Sequence, residues 1–348
     1  MKSYAKPKTL KLGPIMCDIE GLQLTADECE MLLHPLIGGV ILFTRNYDSP
    51  KQLIELTEKI HGLRQPSLLI AVDHEGGRIQ RFHQGFSQLP ACGLIGAHEP
   101  MKEAQLLSKQ AGWLMATELL SAGIDFSFAP VLDVGGSISE VIGDRAFHVE
   151  PEKISQLAQA FVSGMEEAGM AAIGKHFPGH GSVVEDSHMT LPFDSRSFSN
   201  IEAHDLIPFK SLIDFGILGL MPGHVIYSEV DTVPAGFSSV WLKDILRKQL
   251  NFKGTIFSDD LSMGGAEIIG DYTERTELAL RAGCNMTLIC NCREGLISVL
   301  DQTEKLIDIK SLPNLEKMRG NFSHEYSDLK NVKAWQEYSL IIENFLNK

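Results

Sequence analysis

Nowhere in the chain do about 20 apolar residues run together, the length that a bilayer-spanning helix requires, so no membrane segment and no membrane partner are expected. The opening residues, MKSYAKPKTLKLGP, are basic but lack the apolar run of about 7–15 residues that an export signal carries behind its charges. Positive charge is scarce: 31 Lys and Arg against 45 Asp and Glu leave a net charge of −14. Neutralising phosphates takes clustered cations, so a nucleic-acid partner is not expected. Cysteine is sparse and scattered (Cys17, Cys29, Cys92, Cys284, Cys290, Cys292), which excludes a dense disulfide framework and points to free thiols in a cytoplasmic protein. Cys290-x-Cys292 has no second close pair to complete a zinc set, so no metal centre is expected there. A linker rich in Pro, Ser or Gly is missing as well, and a single domain over residues 1–348 is the expectation, with about 310–348 as a helical tail packed on its body.

The composition that remains is 44% hydrophobic, enough for a substantial core. About eight short apolar runs alternate with helical patterns. Ile15 to Ile19 precedes Thr25-Ala-Asp-Glu, a capping-box spacing. Gly39 to Phe43 precedes Ser49-Pro50, a helix start. The runs Ser67 to Val72, Phe126 to Pro130, Met170 to His176, Ile217 to Met221, Gly254 to Ser258 and Asn285 to Ile289 continue the series, with helices at Lys102 to Ser121, Pro151 to Ala168 and Val240 to Leu250 among them. Repeated βα units close most naturally into an α/β (β/α)8 TIM barrel. The competing doubly wound sheet would carry a glycine-rich phosphate turn after its first strand, and Ile19-Glu-Gly-Leu does not supply one. A last helical pattern covers about Val332 to Phe345.

Polar residues collect at the ends of these runs: Asp73, Lys175, His176, His224 and Asp259. In a barrel those ends surround the active-site mouth. The stretch Lys175 to His188, KHFPGHGSVVEDSH, is the densest, with a Lys, three His and two acidic residues in fourteen positions. A Lys at an apolar strand end needs a carboxylate or ligand hydroxyl as partner. Gly179-His-Gly181 and the polar residues after it suggest a mobile loop. In Asp186-Ser-His188 the carboxylate can orient the imidazole and raise its basicity, and Asp259, on its strand, is placed to act as a nucleophile. Asp260 and Ser262, further into the turn, fit capping better. Arg81 and Arg145 lie on loops after the third and fourth strands, where they can bind an anion or hydroxyls.

Taken together, Asp73-His-Glu-Gly-Gly-Arg-Ile-Gln-Arg81, Gly143-Asp-Arg-Ala-Phe147, Lys175-His-Phe-Pro-Gly-His-Gly181, Asp186-Ser-His188 and Phe257-Ser-Asp-Asp-Leu-Ser-Met263 resemble the β-N-acetylglucosaminidases of glycoside hydrolase family 3, of the single-domain kind that recycles bacterial peptidoglycan. The resemblance reaches from near the N-terminus to about residue 295. It implies a TIM barrel and a retaining exo-hydrolase with no cofactor and no metal. Asp259 would be the nucleophile and His188 the general acid/base, oriented by Asp186. Asp73, Arg81, Arg145, Lys175 and His176 would hold the terminal N-acetylglucosamine of a muropeptide or anhydro-disaccharide, and a monomer is expected. His74 departs from the Gln that many relatives carry. A phosphorylase, a zinc hydrolase built on His176, His180, His188, His224 and Asp259, and a sugar-binding protein without catalysis are the alternatives.

Overall fold

The computed structural model describes residues 8–9, 11–136, 139–183, 187, 191–302, 306 and 315–348. Eight strands form one parallel sheet: β1 (Ile15–Asp18), β2 (Ile37–Leu42), β3 (Leu69–Val72), β4 (Phe126–Ser127), β5 (Ile173–Phe177), β6 (Gly219–Pro222), β7 (Thr255–Asp260) and β8 (Met286–Ile289). Each pairs with its neighbours in sequence, and β8 returns to β1 through Ile289 and Cys17. Between β4 and β5 the ring is completed just beyond β4, by a parallel bridge of Val131 to Lys175 in which the Leu132 amide donates to the Lys175 carbonyl at 2.6 Å. The result is the expected (β/α)8 barrel. Its strands are buried, except at the Asp259–Asp260 tip of β7, because helices cover the outside and side chains fill the middle, where Phe126, Phe128 and Phe257 meet with ring centroids 5.3–5.4 Å apart.

The outer layer consists of α1 (Ala26–Leu32), α2 (Pro50–His61), α3 (Met101–Ser121), α4 (Pro151–Ala168), α5 (Leu206–Phe215), the π-type helix α6 (Val240–Gln249), α7 (Tyr272–Ala282) and α8 (Arg293–Leu300). Local sequence sets their ends. Thr25 and Glu28 make the reciprocal capping box, Ser49 caps α2 with Pro50 in its first turn, and Gly169 and Gly216 close α4 and α5 in the left-handed conformation. Helices α3 and α4 approach closely because Gly112 and Gly164 face backbone: a Cβ on Gly164 would lie 2.1 Å from the Lys109 carbonyl oxygen.

Residues 315–348 pack on this body. Helix α9 (Lys333–Leu346) lies against α3, with the Tyr338 ring 5.2 Å from Trp113 and the Trp335 indole N–H donating to Glu118 at 2.8 Å. All six cysteines are free, four of them buried.

Candidate active site

Two strand ends bring ionisable side chains together, and both have an irregular register. On β5, Lys175 pairs with Met221 but Phe177 with Pro222, so two residues of β5 match one step of β6. On β7, Phe257 and Asp260 match Met286 and Leu288, three steps against two. An extra residue interrupts alternation. Lys175 with His176, and Asp259 with Asp260, therefore all line the same cavity, which strict alternation would forbid.

That cavity holds about 380 Å³ at the C-terminal ends of the strands. Asp73, Arg81, Arg145, Lys175, His176 and Asp259, singled out from the sequence, all reach it. Asp186 and His188 lie outside the described residues. Ser187, between them in sequence, is described: it lines the cavity, its Oγ is 3.0 Å from His180 Nε2, and its carbonyl accepts from the Gly265 amide at 2.9 Å. His224 does not line the cavity; its Nε2 is 3.0 Å from the Asp260 carbonyl oxygen.

Lys175 is only 2% exposed, and its charge is tolerated because Nζ donates to Asp73 Oδ1 at 2.7 Å and meets Glu75 Oε1 at 2.6 Å. Burial pulls the Lys175 ammonium pKa down, but the two carboxylates outweigh it and hold it above the ordinary lysine value. Glu75 in turn accepts two parallel hydrogen bonds from Arg145, Nε to Oε2 at 2.9 Å and Nη2 to Oε1 at 2.8 Å. Burial opposes ionisation of Glu75, yet Arg145 and Lys175 hold its carboxyl far below the usual range. A chain Arg145, Glu75, Lys175, Asp73 thus fixes two cations and two carboxylates in the cavity wall.

His176 is set by Asp133. The fully buried Asp133 accepts from the His176 amide at 3.2 Å and the His180 amide at 2.6 Å, and its Oδ2 lies 2.7 Å from His176 Nδ1. Burial would raise the Asp133 carboxyl, but His176 and the His180 amide lower it, so it is ionised and only accepts. The His176 Nδ1 must then carry a proton and donate it to Asp133. His180 is buried with its imidazole pKa lowered by burial and by His176, and is held neutral.

Residues 179–181, the start of the segment read as a mobile loop, are packed into the body, whereas residues 184–186 and 188–190 of that segment lie outside the described residues. Gly179 accepts from the Tyr227 hydroxyl at 2.6 Å, His180 is 2% exposed, and a Cβ on Gly181 would lie 1.8 Å from the Val134 carbonyl oxygen. Here glycine serves close packing. Asp260 does not cap the helical turn that follows, which starts at Gly264 after Met263 with no side-chain cap; its carboxylate instead ties the strand end, accepting from the Ser262 amide and hydroxyl and the Cys290 amide. Burial and the charge of Asp259 push the Asp260 carboxyl up to about 6 against those three donors. The His74 imidazole, pushed down to about 3 by burial, sits 5.8 and 6.1 Å from the Phe82 and Phe86 rings and is neutral.

Glu75, Asp133 and His180 had no assigned part in the glycosidase reading. Glu75 stands two residues from Asp73, the spacing that puts side chains on one face of a strand, and that signal was available. Asp133 gave none, since its partners are 43 and 47 residues away.

Residues 8–315 match the glycosyl hydrolase family 3 N-terminal domain. A β-hexosaminidase of Thioalkalivibrio sulfidiphilus is 51% identical over 335 residues, 96% of each chain. NagZ of Neisseria gonorrhoeae, solved with N-trifluoroacetyl-D-glucosamine, is 41% identical with a TM-score of 0.89, covering 97% of this chain and 99% of that one. A family 3 β-N-acetylglucosaminidase of a Paenibacillus strain is 28% identical with a TM-score of 0.78, covering 95% of this chain and 61% of that one.

Proposed function

Because the chain belongs to glycosyl hydrolase family 3 and is a β-hexosaminidase, we propose that it removes terminal N-acetylglucosamine from peptidoglycan fragments by a retaining, two-step mechanism. The natural substrate is N-acetylglucosamine linked to 1,6-anhydro-N-acetylmuramic acid, with or without its peptide, and the reaction runs in the cytoplasm. No helix among the described residues is long and apolar enough to cross a membrane.

One observation carries this reading: Asp259 shares a cavity with Asp73, Arg81, Arg145, Lys175 and His176. Asp73, the two guanidiniums, the ammonium and the His176 imidazole present both donors and acceptors, the set that sugar hydroxyls and an acetamido group require. At about 380 Å³ the cavity is near the low end of the roughly 300–1,000 Å³ typical of small-molecule sites. That fits one terminal sugar entering at a time. The ligand of the Neisseria relative, an acylated glucosamine, fits the same class.

In the first step an Asp259 oxygen attacks the anomeric carbon as His188 protonates the departing glycosidic oxygen. In the second, His188 takes a proton from water, whose oxygen displaces Asp259 with net retention. Asp186 orients His188. An imidazole titrates near neutrality without the burial that a carboxylic acid/base needs, so one group serves both steps.

Product analysis on purified muropeptides, with and without phosphate, tests the proposal. Free N-acetylglucosamine in the β configuration at first release is expected. Initial α-anomer would refute retention, and a sugar 1-phosphate as the main product would replace hydrolysis by phosphorolysis.

A further inference from the structure

Arg81 is the least secured of the side chains on the cavity wall. Its Nε has no hydrogen-bond partner among the described residues, Asp73 Oδ2 is 4.0 Å from its Nη2, and its guanidinium carbon lies 5.9 Å from the centre of the Phe43 ring. Among the described residues Arg81 has only this longer contact to Asp73 in place of the close charged hydrogen bonds that hold Lys175 and Arg145, so its position depends more on the backbone that carries it. That backbone runs into residues 82–87, which the C-terminal segment grips at two points.

The first is aromatic. Phe82 and Phe86, centroids 5.5 Å apart, pack with Tyr47 and His74, and Tyr326 of the C-terminal segment closes the cluster 5.7 Å from Phe86. The Tyr326 hydroxyl donates to the Gly85 carbonyl. Gly85 has φ +90°, and a Cβ there would meet Pro50 at 2.5 Å, so this turn admits no bulkier residue. The second grip is polar. Ser87 donates through its amide at 2.9 Å and its hydroxyl at 2.6 Å to Glu118, whose Oε1 also accepts from the Trp335 indole at 2.8 Å. Both Phe82 and His74 adjoin cavity residues, Arg81 and Asp73, so displacement of the cluster reaches the sugar site directly.

We propose that Tyr326 and Trp335, which lie beyond the residues matched by the family domain, are positioning residues for substrate binding: through Gly85, Phe86 and the Glu118–Ser87 contact they hold the loop that aims Arg81 into the cavity. This rests on the reading of Arg81 as a sugar-binding residue. Neither side chain touches substrate. Their contribution belongs to binding and leaves the chemical step untouched.

The test uses the full chain with conservative changes that keep ring packing: Tyr326→Phe and Trp335→Phe, alone and together, with Arg81→Ala alone and combined with the pair. KM and kcat are measured on an aryl N-acetyl-β-glucosaminide, with the thermal midpoint alongside. The double tail variant is expected to raise KM roughly three- to tenfold, the worth of one or two hydrogen bonds, with kcat within about twofold and the midpoint within a few degrees. In the Arg81→Ala background the same pair should add little, because the residue it positions is gone. An unchanged KM, an undiminished increase in the Arg81→Ala background, or a joint collapse of kcat and midpoint would each overturn the proposal. Should Arg81→Ala itself leave KM unchanged, the sugar-binding reading of Arg81 fails instead. Ser87→Ala, which removes the side-chain donor to Glu118 from the loop side, provides an independent arm and should reproduce the KM increase.

Discussion

At the residue scale the site is a set of side chains whose ionisation is fixed by immediate neighbours, and single substitutions interrogate each. Asp259→Ala should abolish turnover while leaving the unfolding midpoint unchanged, because it removes the covalent step. His188→Ala should cost far more on substrates with poor leaving groups than on activated aryl glycosides; equal losses on both would remove His188 from the acid role. Asp133→Asn takes away the anion that fixes the His176 tautomer. A loss of about 10- to 100-fold in kcat/KM is expected from steady-state kinetics, with the fold retained by circular dichroism. Asp260 supplies a stability test. Its folded-state carboxyl, raised to about 6, keeps a proton where the unfolded chain has lost it, so its contribution is complete below about pH 4 and is lost as pH rises through 6. Wild-type stability should therefore fall relative to Asp260→Asn over that window, by on the order of 2 kcal/mol in urea unfolding after allowance for the residue's partial exposure. A pH-independent difference between the two proteins would contradict the assignment.

At the element scale two bulged strand ends and one close helix crossing decide the architecture. The bulges turn adjacent residues of β5 and β7 toward one cavity, so Lys175 and His176 line the same space although a regular strand would separate them. Alternation read from sequence cannot foresee this, because a bulge is a property of the pairing and not of the strand. The α3–α4 crossing makes a different demand. Alanine in place of a helix-interior glycine gains about 1 kcal/mol of intrinsic propensity. At Gly164, however, the added carbon would sit 2.1 Å from the Lys109 carbonyl oxygen and 2.7 Å from the Trp113 amide nitrogen, both backbone atoms that cannot swing away. Overpacking wins, and Gly164→Ala should destabilise the protein by about 1–3 kcal/mol in denaturant unfolding.

At the scale of the whole molecule, the C-terminal segment completes the body it covers. Deleting residues 333–348 would remove the Trp335 partner of buried Glu118 and the Tyr338 ring from Trp113. Burial already raises the Glu118 carboxyl, and losing a donor raises it further. The truncated chain should unfold about 2–4 kcal/mol more easily, read from urea midpoints. The alternation of apolar runs and helical patterns determined the barrel, since βα units have few ways to bury both faces of a parallel sheet. Motif residues at the strand tips and on the loops after them determined part of the charged cavity wall: Asp73, Lys175, His176 and Asp259 were legible because a polar group ending an apolar strand needs a partner, and Arg81 and Arg145 because they sit in motifs on the following loops. The helices α5, α7 and α8 were not delimited, although the capping box of Asp271 and Glu274 opens α7 and Gly216 closes α5. Only the tertiary structure decided which carboxylates neutralise which cations, that Asp133 sets the His176 tautomer, that Gly181 serves packing, and that the last residues of the chain brace the loop of Arg81. Those contacts join positions tens to hundreds of residues apart, and distance along the chain carries no information about them until the barrel has closed.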